Sequence, residues 1–290
     1  MPNTLDQSYL QKCVYKPGIF SNKVVFVTGG AGTICRVQTE AMVLLGANAV
    51  ILGRRSKETE EAAREIESLR PGARVLGLGN VDVRSIKSLQ DAVERTLQVL
   101  GRIDYVIAGA AGNFLCDINN LSSNAFKTVV EIDLLGSYNT FKVTAEQLKK
   151  NKGGIIFVTA TLHYRGLILQ AHASAAKAGV DALNAVIAVE YGPLGVRSNC
   201  IAPGPIEGTE GMSRLAPEGV SDSRSSVPLL RNGSTTEVAD STVFLFSDAA
   251  SYITGTVVVV DGGNWHIGNM APNGMYPDLV INANEVPPKL

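Results

Sequence analysis

The 290-residue sequence predicts one α/β domain, a doubly wound parallel sheet of seven strands with helices on both faces. Three observations predict it. Short β-rich runs, apolar on both faces as buried parallel strands are, recur along the chain. Longer amphipathic stretches alternate with them, which calls for right-handed crossovers. No linker divides the chain, and a hydrophobic content of 45% suffices for one large core.

The strands are expected at residues 23–28, 49–52, 74–78, 103–108, 154–158, 196–201 and 256–260. Between them, residues 56–69 are charged with a narrow apolar stripe. Val180, Leu183, Ile187 and Tyr191 recur at helical spacing. Ser234-Thr235-Thr236-Glu237 reads as a capping box ahead of an apolar helix over 238–246. The Pro/Gly/Ser-rich stretch 203–228 reads as a loop with short helices over a site rather than a domain boundary. From Gly268 onward the chain is Asn- and Pro-rich and expected to be irregular.

Lys+Arg total 26 and Asp+Glu 27, so no basic face argues for nucleic acid. No apolar run approaches the ~18 residues of a membrane span, and the first twenty residues carry no signal-peptide core. Cys13, Cys35, Cys116 and Cys200 are far apart, which predicts reduced thiols in an intracellular compartment. His163, His172 and His266 lack metal-ligand spacing, so no metal is expected. The C-terminal Pro288-Lys289-Leu290 departs from the Ser-Lys-Leu peroxisomal address only at its first position.

Thr28-Gly29-Gly30-Ala31-Gly32-Thr33-Ile34 follows the first strand and opens a helix. A glycine turn there lets backbone N–H groups approach a pyrophosphate at a helix N-terminus, the mark of a Rossmann-type dinucleotide site. Where an NAD site usually places Asp or Glu, this chain has Arg54 and Arg55. Cations grip an anionic 2′-phosphate, so NADP(H) is the expected cofactor unless the two arginines are merely solvated. Asp82, with Val83 beside it at the carboxyl end of the third strand, either accepts from the adenine amine or caps the next helix. Ala110 and Gly112 end the fourth strand, where small residues permit close approach of a cofactor or tight packing.

The order of these features resembles the short-chain dehydrogenase/reductase family over about residues 20–265. The motifs that carry it are Thr28-Gly29-Gly30, Asn80-Val81-Asp82, Ala110-Ala111-Gly112, Lys177 and Pro203-Gly204. Thr33 and Cys35 stand where fingerprint glycines are usual. Ala160, Ala173 and Asp133 replace the family's catalytic serine, tyrosine and asparagine. The longer strings are Gly109-Ala110-Ala111-Gly112-Asn113-Phe114-Leu115, Thr159-Ala160-Thr161-Leu162, His172-Ala173-Ser174-Ala175-Ala176-Lys177, Pro203 through Gly211, and Val260 through Trp265. They resemble the family's peroxisomal 2,4-dienoyl-CoA reductase branch, which lacks the tyrosine and reduces conjugated thioesters with NADPH.

That resemblance implies reduction of 2,4-dienoyl-CoA to trans-3-enoyl-CoA in peroxisomal β-oxidation of unsaturated fatty acids. It makes the C-terminal tripeptide a ligand for the peroxisomal import receptor. It also implies a homodimer or homotetramer paired through the helices after the fourth and fifth strands. A carbonyl reductase protonates oxygen, a task for tyrosine. In a dienoyl ester hydride goes to the δ-carbon and the proton to the α-carbon, while the thioester oxygen needs only a hydrogen bond. Asp133 lies in an apolar helical segment that disfavours a charge without a reason. Asp261 alone reads as a turn residue. The resemblance implies that it pairs with Asp133 to hold a proton-donating water.

Lys177 is expected on the nicotinamide ribose, with Ile206 beside Pro203 and Gly204 along the cofactor. Arg84, Asn113, Phe114, Ser122, Ser123, Asn124, Thr159 and Arg214 are the candidate substrate contacts. Ser122 through Asn124 equally suits a helix cap, Arg84 and Arg214 equally suit solvated positions, and Phe114 equally suits core. The loop 204–228 is expected to cover the acyl chain. Two other readings stand beside this one: another acyl-thioester reductase of the same fold, or a catalytically silent NADP-binding scaffold or sensor.

Overall fold

The computed structural model describes residues 4–215 and 227–267. Seven parallel strands form one sheet: β1 (Val24–Thr28), β2 (Asn48–Leu52), β3 (Val75–Leu78), β4 (Tyr105–Ala108), β5 (Gly154–Val158), β6 (Arg197–Pro203) and β7 (Val257–Val260). Their order is β3-β2-β1-β4-β5-β6-β7. All seven expected strands form, within a few residues of their expected ends.

The helices are α1 (Tyr9–Lys12), α2 (Thr33–Leu44), α3 (Ser56–Ser68), α4 (Ile86–Leu100), α5 (Ser123–Val130), α6 (Gly136–Asn151), α7 (Ala171–Tyr191), α8 (Glu210–Leu215), α9 (Thr235–Phe246) and α10 (Asn264–Ile267). Successive strand residues point to opposite faces, and the core divides accordingly. Val25, Val27, Ala49 and Ile51 pack with Met42 of α2, Ile66 of α3 and Val243 of α9. Phe26, Val50 and Phe157 pack with Leu89 of α4, Leu148 of α6 and Val180 of α7. Apolar residues at both parities are what make these strands read as continuous hydrophobic runs.

Local signals set several ends. Ser234 accepts from the Glu237 N–H while the Glu237 carboxylate accepts from the Ser234 N–H, so the expected capping box forms at α9. Arg231 reinforces it from 2.6 Å and, as the largest cause, holds the Glu237 carboxyl down at about 2. The Ser85 hydroxyl caps α4, and Gly101 closes that helix in the left-handed region.

Two features had no expectation. The N-terminal segment packs on the body: Tyr9 is buried and donates to Asp240 at 2.7 Å, while the Leu5 N–H donates to buried Glu40 at 2.7 Å. And α5 runs into α6 through a π-helical turn, Glu131–Leu135. Such turns arise where one residue is accommodated without breaking the helix, often at functional sites. This one carries Asp133. No helix of the described residues is long and apolar enough to cross a membrane.

Candidate active site

Strand order reverses between β1 and β4, and a cavity of about 1200 Å³ opens along the strands' carboxyl ends, where doubly wound sheets bind ligands. Its floor is the glycine turn. Gly29 has a positive φ of 68°, and a Cβ there would press on the Ala110 backbone at 3.0 Å. Gly32, Thr33 and Ile34 line the cavity at the start of α2. Gly30 and Thr28 stand behind this surface. A Cβ on Gly30 would overlap Ile51, and the Thr28 hydroxyl accepts from the Gly109 N–H at 3.2 Å.

The two unusual fingerprint positions have a steric account. Thr33 begins α2 and faces the cavity. Cys35 is buried, and its Sγ occupies the space that any Cβ on Gly109 would enter. The missing glycine at 35 is thus matched by a glycine at 109. Burial pushes the Cys35 thiol up to about 12, with Lys177 opposing.

Arg54 and Arg55 lie at the end of β2 on the cavity rim, both exposed. Arg55 pairs loosely with Glu58 at 3.7 Å. Asp82 and Val83 line the adjacent wall, with Ala110, Pro203, Gly204 and Ile206 across from them. Arg84 donates to Asp82 at 2.6 Å, and that hydrogen bond leads the causes holding the Asp82 carboxyl below the ordinary aspartate value. Arg84 therefore belongs to Asp82 rather than to the cavity wall.

The centre of the site is an ion pair. Asp133 is 1% exposed. Its Oδ1 accepts from the Gly112 N–H at 2.7 Å, and its Oδ2 lies 3.2 Å from Lys177 Nζ. Lys177, on α7, also donates to the Val158 carbonyl at 2.9 Å. The π turn and α7 meet here, so two helices and the ends of β4 and β5 converge on one carboxylate. Ala160 and Ala173 line the same space. The Thr159 hydroxyl is buried in the cavity wall and has no hydrogen-bond partner.

Asp261, the second carboxylate expected, is buried and sits against Gly204, which lines the cavity. Asp261 accepts from the Gly263 and Trp265 N–H groups, both at 2.8 Å. These bonds hold the turn into α10 and leave each carboxylate oxygen room for a further donor. The Lys177 ammonium is the direct ionic partner of Asp133.

The substrate candidates divide. Asn113 and Thr159 line the cavity. Phe114 is not part of the lining; its ring lies 4.3 Å from that of His172, and desolvation holds His172 below the ordinary imidazole value. Ser122 caps α5, accepting from Ala125 at 3.2 Å. Ser123 and Asn124 are exposed on that helix, away from the cavity lining. A helix cap, the alternative open in the sequence, is what Ser122 forms. Arg214 falls in α8, but its side chain lies outside the described residues, as do residues 216–226 of the loop, the tail from Gly268 and Pro288-Lys289-Leu290.

Sequence reasoning missed Leu162, Arg165, Leu167, Met212, Asn232 and Asn264, which also line the cavity. Arg165 donates twice to Asn264, to its carbonyl at 3.0 Å and its Oδ1 at 2.8 Å, tying the loop after β5 to the segment after β7. Their position behind strand carboxyl ends was the available signal.

The cradle fits a nicotinamide dinucleotide: a glycine turn with no room for side chains, cations at the β2 end, and an ammonium and an unpartnered hydroxyl deep in the cavity. Comparison with known proteins agrees. A family model described as Enoyl-(Acyl carrier protein) reductase matches residues 29–264. The chain belongs to the short-chain dehydrogenase/reductase family, whose reductases use a nicotinamide cofactor. It is 55% identical over 97% of both chains to the (3E)-enoyl-CoA-producing peroxisomal 2,4-dienoyl-CoA reductase of Saccharomyces cerevisiae. It is 45% identical to the corresponding Danio rerio protein, covering 87% of this chain and 84% of that one. Among solved structures it is similar to levodione reductase, with a TM-score of 0.80 at 30% identity over 85% of this chain and 99% of that one.

Proposed function

We propose that the protein is an NADPH-dependent reductase, one catalytic domain throughout, that converts 2,4-dienoyl-CoA esters to trans-3-enoyl-CoA in peroxisomal β-oxidation. The observation that carries this reading is the buried Asp133–Lys177 pair facing a cavity in which Ala160 and Ala173 stand where the family's serine and tyrosine are usual. The names of the two relatives support the substrate and the compartment. Pro288-Lys289-Leu290 would supply the import-receptor ligand.

Gly29 through Ile34 would receive the pyrophosphate on backbone N–H groups, and Arg54 and Arg55 the 2′-phosphate. When bound, the nicotinamide would supply the hydride that the substrate's δ-carbon takes up. The Thr159 hydroxyl is free to donate to the thioester oxygen as negative charge gathers there. Lys177, fixed by the Val158 carbonyl and Asp133, would hold the ribose hydroxyls. Asp133, fixed by Gly112, with Asp261 as its expected second carboxylate, would orient a water whose proton goes to the α-carbon, the hydroxide left being reprotonated from solvent and the remaining double bond lying at the 3 position. No acid is needed at the carbonyl oxygen, so a missing phenol costs this reaction little.

Leu135 and Tyr138 near the start of α6, and Val186 and Val189 on α7, are exposed. This apolar face supports self-association through these helices, as the family resemblance implies.

The test is NADPH consumption, followed by absorbance, with a 2,4-dienoyl-CoA and, in parallel, a 3-oxoacyl-CoA. Turnover of the dienoyl ester alone is expected. Tight NADPH binding with turnover of neither ester would instead identify a silent cofactor-binding protein.

A further inference from the structure

Reduction of a 2,4-dienoyl ester engages its carbons only as far as the δ position. On a long-chain substrate the remaining methylenes must lie beyond the nicotinamide, against protein or in water.

Two loops border that end of the cavity, one following β4 and one following β5. The Cys116 N–H donates to the Leu169 carbonyl at 3.2 Å, and the Phe114 ring packs on that of His172, so the loops run side by side. Gly166 and Leu169 both take positive φ, 62° and 65°, so the second loop turns sharply at both. The segment Gly166-Leu167-Ile168-Leu169 has no polar side chain. The charge next to it, Arg165, is held by Asn264.

Apolar side chains face outward along this seam. Ile168 is 80% exposed, Ile118 76% and Leu167 41%. Leu167 is at the same time part of the cavity wall. One exposed isoleucine needs no explanation. Several on two hydrogen-bonded loops, continuous with the wall of a catalytic cavity, form an apolar path out of it.

We propose that this seam is the acyl-chain subsite, so that the methylenes beyond the δ-carbon pass Leu167 and lie on Ile168 and Ile118, and the enzyme favours long-chain over short-chain 2,4-dienoyl-CoA. The proposal rests on the dienoyl-CoA reading above. Covering such side chains strengthens binding in proportion to the apolar area removed from water.

The experiment compares the parent with Ile118→Ser/Ile168→Ser and with Ile168→Asp. Substrates are 2,4-hexadienoyl-CoA, too short to reach the seam, and 2,4-dodecadienoyl-CoA. For the longer ester kcat/KM should fall about tenfold, equivalent to ~1.4 kcal/mol, through KM. The shorter ester should change less than about twofold, with the thermal midpoint and NADPH affinity unaltered. Equal losses on both esters would assign the seam to loop folding and overturn the proposal, as would an unchanged preference for the longer ester. A parent that reduces neither ester overturns the dienoyl-CoA reading, and the subsite with it. A parent active on both, with variants that keep its chain-length profile, overturns the subsite alone.

Discussion

Lys177 Nζ bridges the Asp133 carboxylate at 3.2 Å and the Val158 carbonyl at 2.9 Å. One ammonium thus joins the π turn between α5 and α6 to the end of β5, and both its partners are fixed in turn by the backbone. Asp133 is held by the Gly112 N–H, and Val158 by the sheet.

Such a pair is expensive to break and cheap to remove whole. Lys177→Met leaves a buried carboxylate without its counter-charge and should destabilise the protein by ~3–5 kcal/mol. Lys177→Met combined with Asp133→Leu should recover most of that stability while remaining inactive. Denaturant unfolding of the two single variants and the double variant measures the coupling.

Cofactor choice should rest on Arg54 and Arg55. Replacing both by Ala removes the cations at the cavity rim and should raise KM for NADPH about tenfold or more. That is the scale of one lost charge-assisted hydrogen bond. KM for NADH, which has no 2′-phosphate, should change less than about twofold. Steady-state kinetics with each cofactor tests this.

Gly109 and Cys35 should behave as a coupled pair. Gly109→Ala places a methyl group on the Cys35 Sγ and should cost ~1–3 kcal/mol through overpacking. Cys35→Gly in the same chain should return much of that loss, a sign reversal that a thermal-melt double-mutant cycle reads directly.

The α9 capping box gives a pH signature. The Glu237 carboxyl is depressed from 4.5 to about 2, chiefly by Arg231, with the Ser234 N–H contributing. Its stabilisation is therefore fully present above the unfolded value and is lost as pH falls from about 4.5 toward 2. Glu237→Gln should lower stability at pH 7 by ~1 kcal/mol and flatten this part of the profile. Urea unfolding at pH 7 and pH 3 compares the two proteins.

The sheet was legible because its central strands are buried on both faces and so read as uninterrupted apolar runs, and the half-buried edge strands β3 and β7 are apolar too. The capping box was legible because its chemistry is local. Arg54, Arg55, Asp82 and Lys177 were legible from their places at strand and helix ends, and the structure sets all four on the cavity lining. The π turn was not, because Glu131-Ile132-Asp133-Leu134-Leu135 has the composition of an ordinary helix and its extra residue is absorbed by tertiary packing. The role of Asp261 was not legible from composition, because a carboxylate in Asp-Gly-Gly can serve a site, its own turn or both; its bonds to the Gly263 and Trp265 N–H groups show the turn. The packed N-terminal segment has no periodicity to announce it; its anchors, Glu40 and Asp240, lie far away in sequence.

The central claim is that Asp133, held against Lys177, governs proton delivery to the α-carbon in place of a tyrosine. Asp133→Asn keeps the shape while removing the charge, and its rate of 2,4-dienoyl-CoA reduction with saturating NADPH is the most direct measurement. A fall in kcat of about a hundredfold or more, the usual scale for losing an acid–base group, with NADPH affinity unchanged, is the predicted result. A variant that turns over within about twofold of the parent would contradict it.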